Sequence, residues 1–388
     1  MDLDGTDGVD EVVRGRVPRP GGFDDVVVAI SGGVVSDVRA ALADDPEPAG
    51  ILLPGLVDIH NHGGGGASFH STSAEEIAVA AGVHHAAGTT TLLASTVTDA
   101  PERLLEVVAA LATAAEDSLI AGIHLEGPFL EHSCRGAHDP DLLLAPDAGL
   151  TRELVAAARG HLRVMTLAAE LPGAVEVAEV LAEAGAVVAL GHTAATAAQA
   201  RTFLDGPGSL VTHLFNGMPP AHHRDPGPVL GSLGAAGVGS ACVELIADGV
   251  HLADETVRSV MSMVPGSVVL VTDAMAAAGM ADGDYQLGPL SVEVRSGVAR
   301  VADGTGSGPI AGGTSRLIDQ VRRHAAAGID LALLMRAASL RPASVVGLDA
   351  GRLEPGVRAD LVVTDESLQP TRVMRGGEWL TAHPGLVS

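Results

Sequence analysis

The sequence predicts an α/β fold: a (β/α)8 TIM barrel accompanied by a small β-sandwich domain built from both chain termini. Two observations lead to the barrel. Apolar, β-rich runs alternate with alanine-rich segments whose apolar residues recur at spacings of three and four. Eight such runs follow one another from Pro54 onward, which fits a closed barrel better than an open doubly wound sheet. The third observation concerns the ends, where short β segments are punctuated by glycine and proline turns. At 388 residues the chain has room for a barrel of about 250 residues and an accessory module.

Residues 1 to about 12 are expected to be disordered. From there to Asp44 the segments DDVVVAI and GGVVSDV are short strands. The barrel runs are LPGLVDIH, TTTLLASTV, LIAGIHLEG, LRVMTLAAE, AVVALGHT, SLVTHLFN, CVELIADGV and SVVLVTDAM. Between them AEEIAVAAGVHHAAG, PERLLEVVAALATAAED and AVEVAEVLAEAGA carry the helical period. The closing stretch GRLEPGVRADLVVTDESLQPTRVMRGGEWL returns to short strands and is expected to pair with the N-terminal ones. The expected boundaries are therefore 1–53 and 346–388 for the β domain and 54–345 for the barrel.

Hydrophobic residues make up 47% of the chain but aromatic ones only 2%, so the core must be built from Ala, Val, Leu and Ile. Such a core suits parallel strands buried on both faces. The formal net charge is −25, which argues against nucleic acid or an anionic membrane as partner, since both require a basic patch. A small anionic substrate stays open, because a single arginine dominates a pocket within a Debye length of about 8 Å. All 23 basic residues are arginine; a Schiff base, a lysine general base and a lysine-derived metal bridge are excluded. Cys134 and Cys242 lie far apart in no metal-like spacing, which points to a reducing, cytoplasmic location. The N-terminus MDLDGTDGVDEVV lacks the order of a signal peptide, and no apolar run of about 18 residues is present.

In a barrel of this kind the chemistry sits at the C-terminal ends of the strands. The first run ends in LVDIHNHGGGG, where His60 and His62, two residues apart, project from the same face. The third ends in Glu126, the fifth in His192, the sixth in His213 and the eighth in Asp273. Any one of them has an ordinary explanation, a hydrogen bond to a carbonyl or a helix cap. Together, on one rim, they read as a metal site. Imidazoles and carboxylates without thiolates suit Zn²⁺ or Fe²⁺ at a catalytic centre. Six ligands exceed what one four-coordinate ion with an open position can use, whereas two ions sharing a carboxylate use them economically. A bound cation brings the pKa of water from 15.7 to about 7, which makes amide hydrolysis feasible, and Asp273 is positioned to carry the proton. Gly63–Gly66 let the chain leave the strand without crowding the site; as a phosphate cradle they lack the Lys-Ser/Thr that follows a P-loop.

The segments HLEGPFL, RGAHDP, ALGHT, THLFNGMPP, IADGVHL, LVTDAM and IAGGT occur in this order. Together they resemble the amidohydrolase superfamily and, within it, the family of N-acetylglucosamine-6-phosphate deacetylases, over nearly the whole chain. The resemblance implies that Glu126, His192 and His213 are the core metal ligands and Asp273 the catalytic acid/base. It implies that His138 hydrogen-bonds the scissile carbonyl or the substrate and that His251 binds the sugar. Asn216, Gly217 and Arg224 resemble phosphate-side contacts, with His222 and His223 as further candidates there, and Ile310, Ala311 and Gly312 resemble a substrate-lining loop. Some members of the family carry Gln and Asn in place of His60 and His62 and hold one metal. The HxH here resembles the two-metal members, with Glu126 as bridge, His60 and His62 on one ion and His192 and His213 on the other. The implied cofactor is one or two divalent ions per subunit, Zn or Fe first, with Co, Mn, Cd and Ni as other candidates.

The expected reaction is removal of acetate from N-acetyl-D-glucosamine 6-phosphate to give D-glucosamine 6-phosphate, in amino-sugar catabolism. The expected partner is that phosphorylated amino sugar, and the resemblance implies a homodimer in which Arg224 reaches a neighbouring site. Alternatives are N-acetylgalactosamine 6-phosphate or an N-acyl-D-amino acid as substrate, a deaminase on the same barrel, and a non-catalytic metal-binding sugar-phosphate sensor. Asp273 weighs against the sensor, which needs no proton carrier. Cys134, between Phe129 and His138, is expected to be an unremarkable loop residue.

Overall fold

The computed structural model describes residues 9–381, which form two compact units. One unit takes Asp58–Val83 and Leu92–Arg316; the other gathers, of the described residues, 9–57, His84–Thr91 and 317–381.

An eight-stranded parallel sheet forms the barrel wall. Its strands are Val57–Asp58, Thr91–Thr96, Gly122–Glu126, Leu162–Leu167, Val187–Leu190, Leu210–Val211, Cys242–Leu245 and Val268–Leu270, neighbours in sequence being neighbours in the sheet. Each lies within one of the eight predicted runs. The strands Thr91–Thr96 and Gly122–Glu126 are buried at every position, as expected of a wall covered on both sides. The first and eighth runs close the ring. Asn61 bridges Ala274 in parallel, and the fully buried Asp58 accepts from the Thr272 backbone N–H at 3.2 Å and from the Asn61 amide at 3.0 Å.

The helices follow their sequence signals. Pro101–Glu116 begins with proline in its first turn and buries Leu104, Val107, Val108 and Leu111. Ala197–Leu204 starts with a capping box between Thr196 and Gln199. It packs against Gly227–Gly237 so closely that a Cβ on Gly231 would lie 2.7 Å from the Ala197 carbonyl oxygen.

One element was not anticipated. After the eighth barrel strand, Gly283–Leu287, Leu290–Arg295 and Val298–Val301 form a three-stranded antiparallel sheet, where only barrel was expected. Its alternating SVEVRSGVARV carries a period of two with a glycine turn. The sheet buries Leu287, Val292, Val294 and Ala299 against Val97 and Met275.

In the other unit a seven-stranded sheet runs in the order Glu378–Trp379, Pro370–Arg375, Leu361–Thr364, Ile51–Pro54, Glu11–Arg19, Gly22–Ser31, Val34–Ala40. The predicted joining of the chain ends occurs where Leu361–Thr364 pairs antiparallel with Ile51–Pro54. Val17, Val28, Ile30, Leu52, Leu361 and Met374 fill its core. The first strand starts at Glu11, earlier than the disorder expected to about residue 12 allows, because Glu11–Arg19 pairs along its whole length with Gly22–Ser31; residues 1–8 lie outside the described residues. Among the described residues no helix is long and apolar enough to cross a membrane.

Candidate metal centre and active site

The strand ends deliver the six predicted residues to one place. Glu126 terminates its strand, while His192, His213 and Asp273 follow theirs by two or three residues. These last three adopt left-handed backbone conformations, with φ of 46°, 25° and 47°. Such conformations cost of order 1–3 kcal/mol each and persist only where neighbours hold them. The neighbours are visible. The His213 N–H donates to Glu244 Oε2 at 3.1 Å; the Asp273 N–H donates to the His60 carbonyl at 2.9 Å, and the His192 carbonyl accepts from the Glu131 N–H at 2.9 Å.

Around Glu126 the donor atoms divide into two groups. Oε1 lies 2.8 Å from His213 Nε2 and 3.0 Å from His192 Nε2, which are themselves 3.1 Å apart. Oε2 lies 3.2 Å from His62 Nε2. His62 Nε2 is in turn 3.1 Å from both His60 Nε2 and Asp273 Oδ1. Two ligands at about 2.05 Å from a tetrahedral ion stand about 3.3 Å apart, so these separations are compatible with a shared cation. One carboxylate thus turns Oε1 toward His192 and His213 and Oε2 toward His62, with His60 Nε2 3.6 Å from Oε1. All six residues are less than a tenth exposed.

Hydrogen bonds set the tautomers of three of these imidazoles. His192 Nδ1 is 2.8 Å from the Cys134 carbonyl, which only accepts, so its proton is on Nδ1 and its Nε2 lone pair faces the centre. His60 Nδ1 meets Glu244 Oε2 at 3.1 Å with the same result. His138 is the reverse. Its Nδ1 accepts from the Thr98 N–H at 3.3 Å, which puts the proton of the neutral ring on Nε2, 3.4 Å from Glu126 Oε2. His138 therefore presents a donor to the cavity where His192 and His60 present lone pairs, and burial, which lowers its pKa, keeps it neutral.

Burial opposes protonation of His60, but Glu126 and Asp273 override it and raise its pKa well above the usual imidazole value. His62 shifts upward too, burial being overcome by hydrogen bonds to Asp273 and Glu126. Burial would raise Glu126, yet His60, His138, His192 and His213 hold it well below the carboxylate range. The two carboxylates thus favour protons on His60 and His62 in the metal-free centre, and a cation would have to displace them. Protons on His60 and His62 stabilise the metal-free fold below about pH 6.5, and that contribution is lost as pH rises through the raised values. Metal affinity runs the other way: it is expected to rise roughly tenfold per pH unit for each proton displaced, until pH passes the raised values. Zn²⁺ titrations at about pH 6 and about pH 8, with proton release measured calorimetrically, check this. An affinity independent of pH would contradict it.

A cavity of about 230 Å³ opens onto the cluster and is lined by His62, Glu126, His138, His192, His213 and Asp273, and by Asn216, Gly217, His251, Ile310 and Gly312. His251 Nδ1 pairs with Asp248 Oδ2 at 2.9 Å. Gly217, at φ 61°, leaves no space for a side chain, since a Cβ would lie 2.7 Å from His192 Nδ1. Two expected substrate contacts are not in this wall. Ala311 is fully buried in the core under the three-stranded sheet, its side chain turned from the cavity that Ile310 and Gly312 face. Arg224 is exposed on a hairpin closed by His222 and Asp225, its Nη1 2.7 Å from His223 Nε2. His222 and His223 are exposed with it. Gly63–Gly66 serve a hairpin rather than the site: a Cβ on Gly63 would meet the Ala67 carbonyl oxygen at 2.3 Å. Cys134 is half-buried, and burial raises its thiol pKa, so its part is played by its carbonyl.

Sequence reasoning passed over two buried groups. Glu244 touches His60 and His213, one from each group around Glu126. His124 packs edge-on against His60 with centroids 4.4 Å apart and hydrogen-bonds Ser95 and Thr166. Each is a polar residue inside an apolar strand run, the only signal available.

A parallel barrel carrying a buried His/Glu/Asp cluster at its strand ends defines a hydrolase with a divalent metal site. The chain belongs to the amidohydrolase family, whose family model matches residues 51–380. It is 34% identical to the N-acetylgalactosamine-6-phosphate deacetylase of Escherichia coli O157:H7, over 95% of this chain and 98% of that protein. The N-acetyl-D-glucosamine-6-phosphate deacetylase structure from Mycobacterium smegmatis superposes with a TM-score of 0.90 at 41% identity, over 95% of this chain and 100% of that one. An aspartate-to-alanine mutant of that enzyme in complex with N-acetyl-D-glucosamine-6-phosphate gives 0.91 at 40% identity, over 96% and 99%.

Proposed function

We propose that this enzyme hydrolyses the N-acetyl group of N-acetyl-D-glucosamine 6-phosphate, consuming one water and releasing acetate and D-glucosamine 6-phosphate. The observation that carries the reading is the split of Glu126, one oxygen toward His192 and His213 and the other toward His62 beside Asp273. We read His60, His62, Glu126, His192, His213 and Asp273 as ligands for one or two divalent ions, with Zn or Fe favoured by the all-imidazole and carboxylate donor set. When bound, the metal lowers the pKa of water toward 7 and polarises the acetyl carbonyl.

The chain's own residues do the rest. Asp273 takes the proton from the attacking water and returns it to the departing amine nitrogen as the C–N bond breaks. The Nε2–H of His138 donates to the carbonyl oxygen as it gains negative charge. His251, oriented by Asp248, holds a sugar hydroxyl, while Asn216, Gly217, Ile310 and Gly312 shape the walls. Among the described residues no arginine lines the cavity; the Arg224 hairpin supplies the phosphate contact, and in a homodimer it reaches a neighbouring site. The compartment is cytoplasmic.

N-acetylgalactosamine 6-phosphate is the second reading, because the Escherichia coli relative that matches nearly end to end carries that name. The two sugars differ only in the configuration at C4. Acetate release from both phosphates, from unphosphorylated N-acetylglucosamine and from an N-acetyl-D-amino acid, with metal content measured on the same sample, tests the proposal. N-acetylglucosamine 6-phosphate is expected to give the highest kcat/KM, and Arg224→Ala to raise its KM by about 10-fold or more, the scale of a lost charge-assisted phosphate contact. Equal rates without the phosphate would overturn the substrate assignment.

A further inference from the structure

We infer that Glu244 is a positioning residue for both halves of the metal centre, holding His60 in its ligand tautomer and His213 in its strained backbone conformation. The inference rests on the metal reading given above. Glu244 lies in the seventh barrel strand, Cys242–Leu245, and is fully buried. An unpaired buried carboxylate is costly, so its contacts are informative. Oε2 accepts from His60 Nδ1 and from the His213 backbone N–H, both at 3.1 Å, while Oε1 has no partner among the described residues. The strand's own backbone adds to the grip: the Leu214 N–H donates to the Glu244 carbonyl at 2.9 Å.

Each contact acts on one group of ligands. A carboxylate only accepts, so the first bond keeps the His60 proton on Nδ1 and its Nε2 lone pair at the centre. Without Glu244 a neutral His60 is free to carry its proton on Nε2, 3.5 Å from Asp273 Oδ1 and 3.6 Å from Glu126 Oε1. There it would donate to those carboxylates and be lost as a ligand. The second bond occupies the N–H of His213, whose φ of 25° needs an external restraint. Loosening it lets the His213 ring leave Glu126 Oε1. One carboxylate therefore orients a histidine of each group, although no sequence spacing links it to either.

The test uses the full-length wild-type enzyme and Glu244→Leu, which removes the oxygen that serves both donors. Zn²⁺ affinity is measured by chelator competition and stoichiometry by elemental analysis; thermal unfolding of the metal-free proteins reports integrity. The expected result is a 10- to 100-fold loss of Zn²⁺ affinity, the scale of a removed outer-shell partner. Unchanged affinity in a folded variant overturns the proposal. In parallel, ¹⁵N NMR of the zinc-loaded wild type reads the His60 tautomer, which a merely structural role for Glu244 would not govern. A proton on Nδ1 supports the inference; a proton on Nε2 overturns it even if the variant fails to fold. Wild-type protein that binds no zinc overturns the metal reading itself, a failure visible before any variant is compared.

Discussion

Replacing Glu126 with glutamine is expected to strip the centre of metal and lower kcat/KM by at least about 10⁴-fold. The estimate follows from the water: if only half of a shift of roughly 8 pKa units is expressed in the rate, about four decades are lost with the cation. Glutamine preserves volume, but its NH2 puts donors where a lone pair is needed. Oε1 and Oε2 stand within 3.2 Å of His213, His192 and His62, so whichever way the amide turns, one ligand group loses its shared oxygen. Metal content per chain, measured beside acetate release, checks the cause. A variant that retains full metal and lost only rate would show that Glu126 acts in the chemistry rather than in holding the ions. Folding should survive, because the residue's neighbours are the centre's own imidazoles and not the apolar core.

What could be read from the sequence, and what could not, divides along physical lines. Barrel strands are short, apolar and closed by glycine-rich turns, so each declares itself locally, and the residue type at each C-terminal end marks the rim. That is how His60, His62, Glu126, His192, His213 and Asp273 could be grouped although they span 214 positions. The outer layer is different. Glu244 sits inside CVELI, where a lone acidic residue in an apolar run has no spacing partner and its role exists only once His60 and His213 are placed beside it. Ala311 fails for the opposite reason: three consecutive loop residues cannot all face one cavity, and the backbone turns the middle one inward. The opposed tautomers of His138 and His192 rest on the Thr98 N–H and the Cys134 carbonyl, backbone groups that no residue pattern encodes.

Changing Asp273 to asparagine is expected to separate proton transfer from everything else in the site. The choice of asparagine matters. Residue 273 has φ of 47°, a region in which Asn and Asp are tolerated better than most residues, so the backbone turn should be kept where Ala would add strain. The asparagine carbonyl oxygen can still occupy the place 3.1 Å from His62 Nε2, and the backbone bond from the residue's N–H to the His60 carbonyl is untouched. What disappears is a group able to take a proton from water and return it to the amine. General acid–base catalysis contributes roughly 10²–10⁴-fold, and kcat should fall by that factor with metal content and substrate affinity nearly unchanged. Steady-state kinetics with isothermal titration of the intact substrate distinguishes the cases. If kcat holds while KM rises, Asp273 binds substrate and the proton must travel by another residue; if metal is lost with the rate, Asp273 is first of all a ligand. Retained metal, retained binding and a kcat lowered by two decades or more is the pattern that a proton carrier at the eighth strand end requires.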